Sequence, residues 1–64
     1  MNKKLKLKII ERFNTQADFA QAINEDDSKI SRVIRGRRYL SKSEQNKWAK
    51  FLKCKRHEIF ELGI

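Results

Sequence analysis

Apolar residues are scattered singly or in pairs along the chain, and their spacing is helical almost everywhere. Leu5, Ile9, Ile10 and Phe13 follow the i, i+4, i+5, i+8 pattern of one helical face, which predicts a helix over residues 3–13. Leu7 falls off that face. Asn14 ends the helix, and Thr15 then has the character of an N-cap, its hydroxyl able to accept from the free amides of the next turn. Asp18, three residues on, suits the positive end of the helix dipole. A second helix over Gln16 to Ile23 places Phe19, Ala20 and Ile23 inward. Asn24 follows where a helix commonly closes on a left-handed residue, a conformation Asn tolerates well.

Asp26 or Asp27 can cap a third helix running to Arg35. Its inward stripe is Ile30, Val33 and Ile34, and Ser28, Lys29 and Arg32 face away. Gly36 stops it. A basic loop, Arg37, Arg38 and Tyr39, passes through Leu40 to Ser41-Lys42-Ser43-Glu44, a capping box opening a fourth helix. Trp48, Ala49 and Leu52 are that helix's buried side, with Phe51 on the flank. After a turn at Lys53 to Lys55, a last short helix carries Ile59 and Phe60 before the chain closes on Glu61-Leu62-Gly63-Ile64. Pro is absent, Gly occurs only at positions 36 and 63, and no stretch alternates like a strand. The expected fold is all-α, a compact bundle of about five short helices forming a single domain over residues 1–64.

Length and composition narrow the class. A chain of 64 residues has room for one small domain, which buries only about 60 % of its unfolded surface. Hydrophobic residues make up 39 % and charged residues 38 %, enough apolar material for a helical core and too much for a disordered tail. No apolar run approaches the roughly 18 residues of a membrane span, and no signal-peptide pattern is present. A cytoplasmic location is expected by default, with no membrane partner. Cys54 is the only cysteine, so no disulfide forms within the chain.

The net charge of +8 is unevenly spread. Residues 1–8 carry four Lys and no acid, whereas residues 9–28 have a balance of −4. From Lys29 to Arg56 eleven basic residues stand against Glu44 alone. Positive charge therefore begins within the third helix and continues beyond it. Such a field attracts polyanions, chiefly nucleic acid or an anionic membrane surface, although a solvated surface accounts for charge alone equally well.

Individual residues with reactive or binding chemistry have plainer readings. Cys54 is a small apolar turn residue rather than a reactive thiol, since nothing in sequence pairs it with a base. His57 stands alone in a short helix and lacks partners for a metal. Trp48 can stack on a base, but its spacing with Ala49 and Leu52 fits the core better. Lys3, Lys4, Lys6 and Lys8 suit either an arm along a DNA backbone or an exposed helix face.

The stretch from Thr15 to Gly36 is similar to the helix-turn-helix of the phage repressor, Cro and XRE-like family, whose pattern it carries as Thr15-Gln16, Phe19-Ala20, Ile30-Ser31-Arg32 and Arg35-Gly36. Trp48-Ala49, Leu52 and Ile59-Phe60 fit the two closing helices, so the resemblance covers nearly the whole chain. It implies a lambda-repressor-like fold and sequence-specific binding of double-stranded DNA by a small bacterial or phage-encoded transcriptional regulator at the nucleoid. The third helix would lie in the major groove. Asp27, Ser28, Lys29 and Arg32 match the base-facing positions, where Arg32 can pair with guanine and a carboxylate can accept from cytosine N4. Gln16, by side chain or backbone amide, and Arg35, Arg37, Arg38 and Tyr39 match positions that hold the phosphate backbone. A homodimer, at least on DNA, is implied as well, with Phe51, Ile59, Phe60, Leu62 and Ile64 as its apolar contact.

The turn departs from the family pattern. Where the family places a Gly, an apolar residue and a Ser or Thr, this chain has Asn24, Glu25 and Asp26, and Asp27 adds a third acid in a row. Three carboxylates at the rim of a phosphate-lined groove oppose binding unless they cap a helix or read a base. The alternative is therefore a protein-interaction module on the same fold, such as an antitoxin-like partner with weak DNA binding. No enzyme is expected: no catalytic constellation, glycine-rich phosphate loop or metal-ligand spacing is present, and no cofactor or small-molecule substrate is implied. RNA ranks below DNA for want of aromatics spaced as a stacking platform.

Overall fold

Each helix stops where the chain supplies a residue able to close it. In the computed structural model, whose described residues are 1–60, α1 spans Lys3–Phe13, α2 Gln16–Ile23, α3 Asp27–Ile34, α4 Lys42–Phe51 and α5 Arg56–Ile59, with no strand among those residues. The Thr15 hydroxyl caps α2 by accepting from the Asp18 amide at 3.1 Å. At α4 the capping box is complete: Ser41 Oγ accepts from the Glu44 amide at 3.1 Å, and Glu44 Oε1 accepts from the Ser41 amide at 3.0 Å. The third helix differs from expectation. Asp26 stands at its N-cap but makes no side-chain capping bond, and the helix ends at Ile34, one residue before Arg35.

Three helices close the same way, with a left-handed residue and two backward amide bonds that satisfy the last carbonyls. After α2 the residue is Asn24 (φ 59°), with Asn24 N–H to Gln21 O and Glu25 N–H to Ala20 O. After α3 it is Gly36 (φ 80°), with Gly36 N–H to Val33 O and Arg37 N–H to Arg32 O. After α4 it is Lys53 (φ 55°), which adopts this conformation without glycine's freedom.

The core draws on every helix. Leu5 and Ile9 of α1, Phe19, Ala20 and Ile23 of α2, Ile30, Val33 and Ile34 of α3, Trp48 and Ala49 of α4, and Leu40, Leu52 and Ile59 are buried. Ile10, expected on the inner face of α1, is 47 % exposed instead. It lies about 100° around the helix from Ile9, and the buried stripe is the narrower line of Leu5, Ile9 and half-buried Phe13. Aromatic rings link three helices and the residue after α5: Phe13 packs on Phe19 (centroids 5.3 Å), Phe19 meets Trp48 edge to face (5.5 Å), and Trp48 lies 6.3 Å from Phe60. Trp48 is wholly buried and therefore offers no face to a base.

One polar residue joins the two ends of the fold. Asn2 caps α1 by accepting from the Leu5 amide at 3.0 Å, its backbone N–H donates to Ile34 O, and its side-chain Nδ2 donates to Ile59 O, both at 2.6 Å. The start of α1 and the ends of α3 and α5 are thereby fixed together. α3 packs on α2 and α1 through its apolar stripe, which leaves its opposite face uncovered.

Candidate nucleic-acid interface

The uncovered face of α3 follows from its inward stripe at positions 30, 33 and 34. Ser28, Arg32 and Arg35 are on the far side and exposed, and Asp27, nearer the stripe, is exposed at the start of the helix. Arg37, Arg38 and Tyr39 continue the surface in the loop after Gly36, and Tyr39 is 79 % exposed. Among the described residues none of these four arginines makes an ion pair. The edge thus carries a run of guanidinium groups with no carboxylate at ion-pair distance among the described residues.

Lys29 does not belong to that edge. Its Nζ lies 2.8 Å from Glu44 Oε2 on α4 and 3.1 Å from Glu25 Oε2 in the turn, and its side chain is only 17 % exposed. The expectation that Lys29 reads bases is therefore corrected: two carboxylates hold the ammonium in a side-chain bridge from α3 to the turn before it and to α4. The hydrogen bond from Lys29, followed by that from the Ser41 amide, holds the Glu44 carboxyl down to about 2. The same bond to Glu44 is the main cause that raises Lys29 above its ordinary value of 10.5.

Gln16 is also turned inward. Its Nε2 donates to Asp27 Oδ1 and to Ser31 Oγ, each at 2.8 Å, so both side-chain N–H groups are engaged on α3. Of the two ways in which Gln16 was expected to hold a phosphate, only the backbone amide at the N-terminus of α2 is left. In exchange the Gln16 side chain fixes the Asp27 carboxylate and joins the first turns of α2 and α3.

The acidic turn is consequently less acidic in effect than in composition. Glu25 is paired with Lys29 and Asp27 is held by Gln16, so Asp26 alone among these acids is exposed without a side-chain partner. Ser31 and Glu44, which make the arrangement possible, were not singled out for these contacts from sequence. The pairing partners lie 15 residues apart in both cases, beyond the reach of any local pattern.

No family model, no curated protein and no solved structure matches this chain. The surface must therefore be read from its own geometry.

The residues expected to form a dimer contact divide. Ile59 is wholly buried and closes the core beneath α1 and α4, so it has no surface for a second chain, a correction to the expected contact. Phe60 is half-buried against Trp48, Phe51 is 40 % exposed, and Leu62 and Ile64 lie outside the described residues. Burial pushes the half-buried Cys54 thiol up, away from a reactive thiolate. Among the described residues no group of His, Cys, Asp and Glu is arranged to hold a metal ion, and no helix is long and apolar enough to cross a membrane.

Proposed function

We propose that this protein is a small DNA-binding regulator of the phage repressor, Cro and XRE-like type, in which α2 and α3 act as a helix-turn-helix and the exposed face of α3 enters the major groove. The observation that carries the reading is the run Arg32, Arg35, Arg37 and Arg38 on that face and the loop beyond it, exposed and without an ion pair among the described residues. An α-helix is about 10–12 Å across with its side chains and fits a groove about 12 Å wide. In this reading Arg32 pairs with a guanine edge, and Arg35, Arg37, Arg38 and Tyr39 meet the phosphates that flank an inserted helix. The backbone amides opening α2 add an anion site on the other side.

Pairing within the acidic turn favours this reading over the protein-docking alternative. A partner attracted by three free carboxylates would find Glu25 paired with Lys29 and one oxygen of Asp27 taken by Gln16. Two copies on a two-fold site would double the few base pairs one helix covers, and Phe51 and half-buried Phe60 are the described residues of the expected contact left to support it.

Selection of bound sequences from random duplexes tests the proposal, followed by salt titration of Arg32→Ala and Arg37→Ala. Arg32→Ala is expected to relax sequence preference. Arg37→Ala should weaken all duplexes alike and lower the salt slope by about 0.9. If the wild type selects no sequence at low salt, or neither substitution alters binding, the reading is wrong.

A further inference from the structure

We propose that the open cavity between the start of α1, the α3–α4 loop and the end of α5 binds a small organic anion, a planar apolar body carrying one carboxylate, and that this ligand draws Arg38 away from DNA. The second half rests on the DNA-binding reading above; the first stands without it. The cavity has a volume of about 350 Å³, within the roughly 300–1,000 Å³ of small-molecule sites. It reaches the core, because Val33 and Leu40 line it and both are buried. Phe60 forms a further apolar wall and packs on Trp48, 6.3 Å away between ring centroids.

The polar lining is made of donors. Asn2 and Gln45 line the cavity, and the oxygen of each carboxamide already accepts a bond within the fold, Asn2 Oδ1 from the Leu5 amide at 3.0 Å and Gln45 Oε1 from Arg56 at 3.2 Å. Each NH₂ group gives one hydrogen to a backbone carbonyl, that of Ile59 or of Leu40, and keeps the other. Arg38 adds a guanidinium that makes no ion pair or hydrogen bond among the described residues, and no described lining residue is acidic. Such a lining suits a ligand that accepts hydrogen bonds and carries negative charge. One carboxylate, rather than a doubly charged phosphate, follows from the charge count: Arg38 is the one cationic side chain among the described lining residues, and its fork matches a carboxylate bidentately. A planar body follows from Tyr39. Its ring lines the cavity while the residue is 79 % exposed, so a flat ligand against it covers apolar surface that the fold leaves in water.

Arg38 and Tyr39 also stand in the loop read above as meeting phosphates. A guanidinium paired with the ligand's carboxylate is no longer available to a phosphate. Ligand and duplex therefore oppose each other, and by linkage each weakens the other by the same factor.

The probe is 2-naphthoate, with neutral 2-naphthamide and cationic 2-naphthylmethylammonium as controls, titrated into the full chain at matched ionic strength and followed by NMR. Naphthoate is expected to shift the resonances of Val33, Gly36, Leu40, Gln45 and Phe60 with a dissociation constant of about 1 mM or below. The amide should bind about fivefold more weakly, the upper end of a solvent-exposed charge pair, and the cation more weakly still. Arg38→Gln leaves the apolar walls in place and should bring naphthoate to the level of the amide. Equal binding of all three probes, shifts away from these residues, or naphthoate binding unchanged in Arg38→Gln overturns the site. Naphthoate that binds only when Leu62→Ser and Ile64→Ser are combined assigns the cavity to residues 61–64 and overturns it too. With a duplex selected from random sequences, naphthoate at ten times its dissociation constant should weaken duplex binding by about three- to fivefold, the loss of one phosphate contact, in the wild type and not in Arg38→Gln. Duplex affinity unchanged by bound naphthoate overturns the antagonism alone. A chain that binds naphthoate at these residues and no duplex at low salt removes the DNA reading and the antagonism with it, and leaves the ligand site standing.

Discussion

Replacing Lys29 by Met, alone and with Glu44→Gln, tests whether this lysine is a brace within the fold or a contact to DNA. Met preserves most of the aliphatic stem and removes the ammonium that lies 2.8 Å from Glu44 and 3.1 Å from Glu25. At such distances two unit charges attract by about 1–4 kcal/mol for an effective dielectric between water and a protein surface. The side chains of Glu25 and Glu44 are 22 % and 32 % exposed, so solvent screening places each pair near 1 kcal/mol or below. Lys29→Met also leaves those carboxylates facing each other, no further apart than the two ion-pair bonds laid end to end. The expected loss is about 1.5 kcal/mol, or roughly 6–12 °C in melting temperature for a domain of this size. Glu44→Gln keeps a side-chain oxygen for the Ser41 amide and should cost about 1 kcal/mol. Because both variants break one bond, the double variant should fall short of their sum by about 1 kcal/mol.

The pH dependence follows from the directions of the two shifts. Glu44 titrates lower in the folded protein than its ordinary 4.5, so its contribution is complete above that value and is lost as pH falls toward about 2. Lys29 titrates higher than 10.5, so its contribution is complete below that value and is lost as pH rises through the raised one. Urea unfolding followed by helical dichroism should show a constant gap between wild type and Lys29→Met near neutrality and a narrowing gap below pH 4.5. Additivity of the two substitutions, or a gap unchanged at low pH, would refute the brace. A fall of about 0.9 in the salt slope for DNA in Lys29→Met would return the lysine to the phosphate backbone.

Asn2→Ala removes the cap on α1 and the bond to Ile59 O but keeps the backbone bond to Ile34 O. Thermal melting should register a loss of about 2 kcal/mol, one part for the cap and one for the bond. Lys53→Gly should raise stability by about 0.5–1 kcal/mol, since φ 55° burdens a side chain and the lysine is exposed. Gly36→Ala should lower it by about 1 kcal/mol through φ alone, because an added Cβ meets nothing within 4 Å.

What was legible in the sequence is what depends on residues close along the chain. Thr15 with Asp18, Ser41 with Glu44, and the left-handed stops at Asn24 and Gly36 each involve partners within five positions, and all four are present. Lys53 carries no such signal, because a lysine is chosen for that conformation only by the packing around it. Ile10 shows the limit of residue type. An isoleucine is expected inside, but its angle around α1 decides otherwise. Ile59 shows the reverse: assigned to the surface as apolar excess, it is needed to close a core in which α5 supplies a single turn.

The acidic turn shows why composition is a poor guide to the electrostatics of the α3 edge. Counted along the chain, Glu25, Asp26 and Asp27 oppose a polyanion, and Lys29 partly compensates them. In the fold the four residues separate by partner. Lys29 and Glu25 close with Glu44 into a group carrying one net negative charge at the junction of α3 and α4. Asp27 is turned to Gln16, which leaves one oxygen outward, and Asp26 is a surface charge with no side-chain partner among the described residues. The repulsive part of the turn is thus reduced to Asp26 and the outward oxygen of Asp27, at the N-terminal end of α3 where the helix dipole favours negative charge. The arginines stand at and beyond the other end. An α3 charged in this way has a direction. Its N-terminal end accepts hydrogen bonds and its C-terminal end supplies cations, so its orientation on any polyanion is set by the protein's own pairing before contact is made.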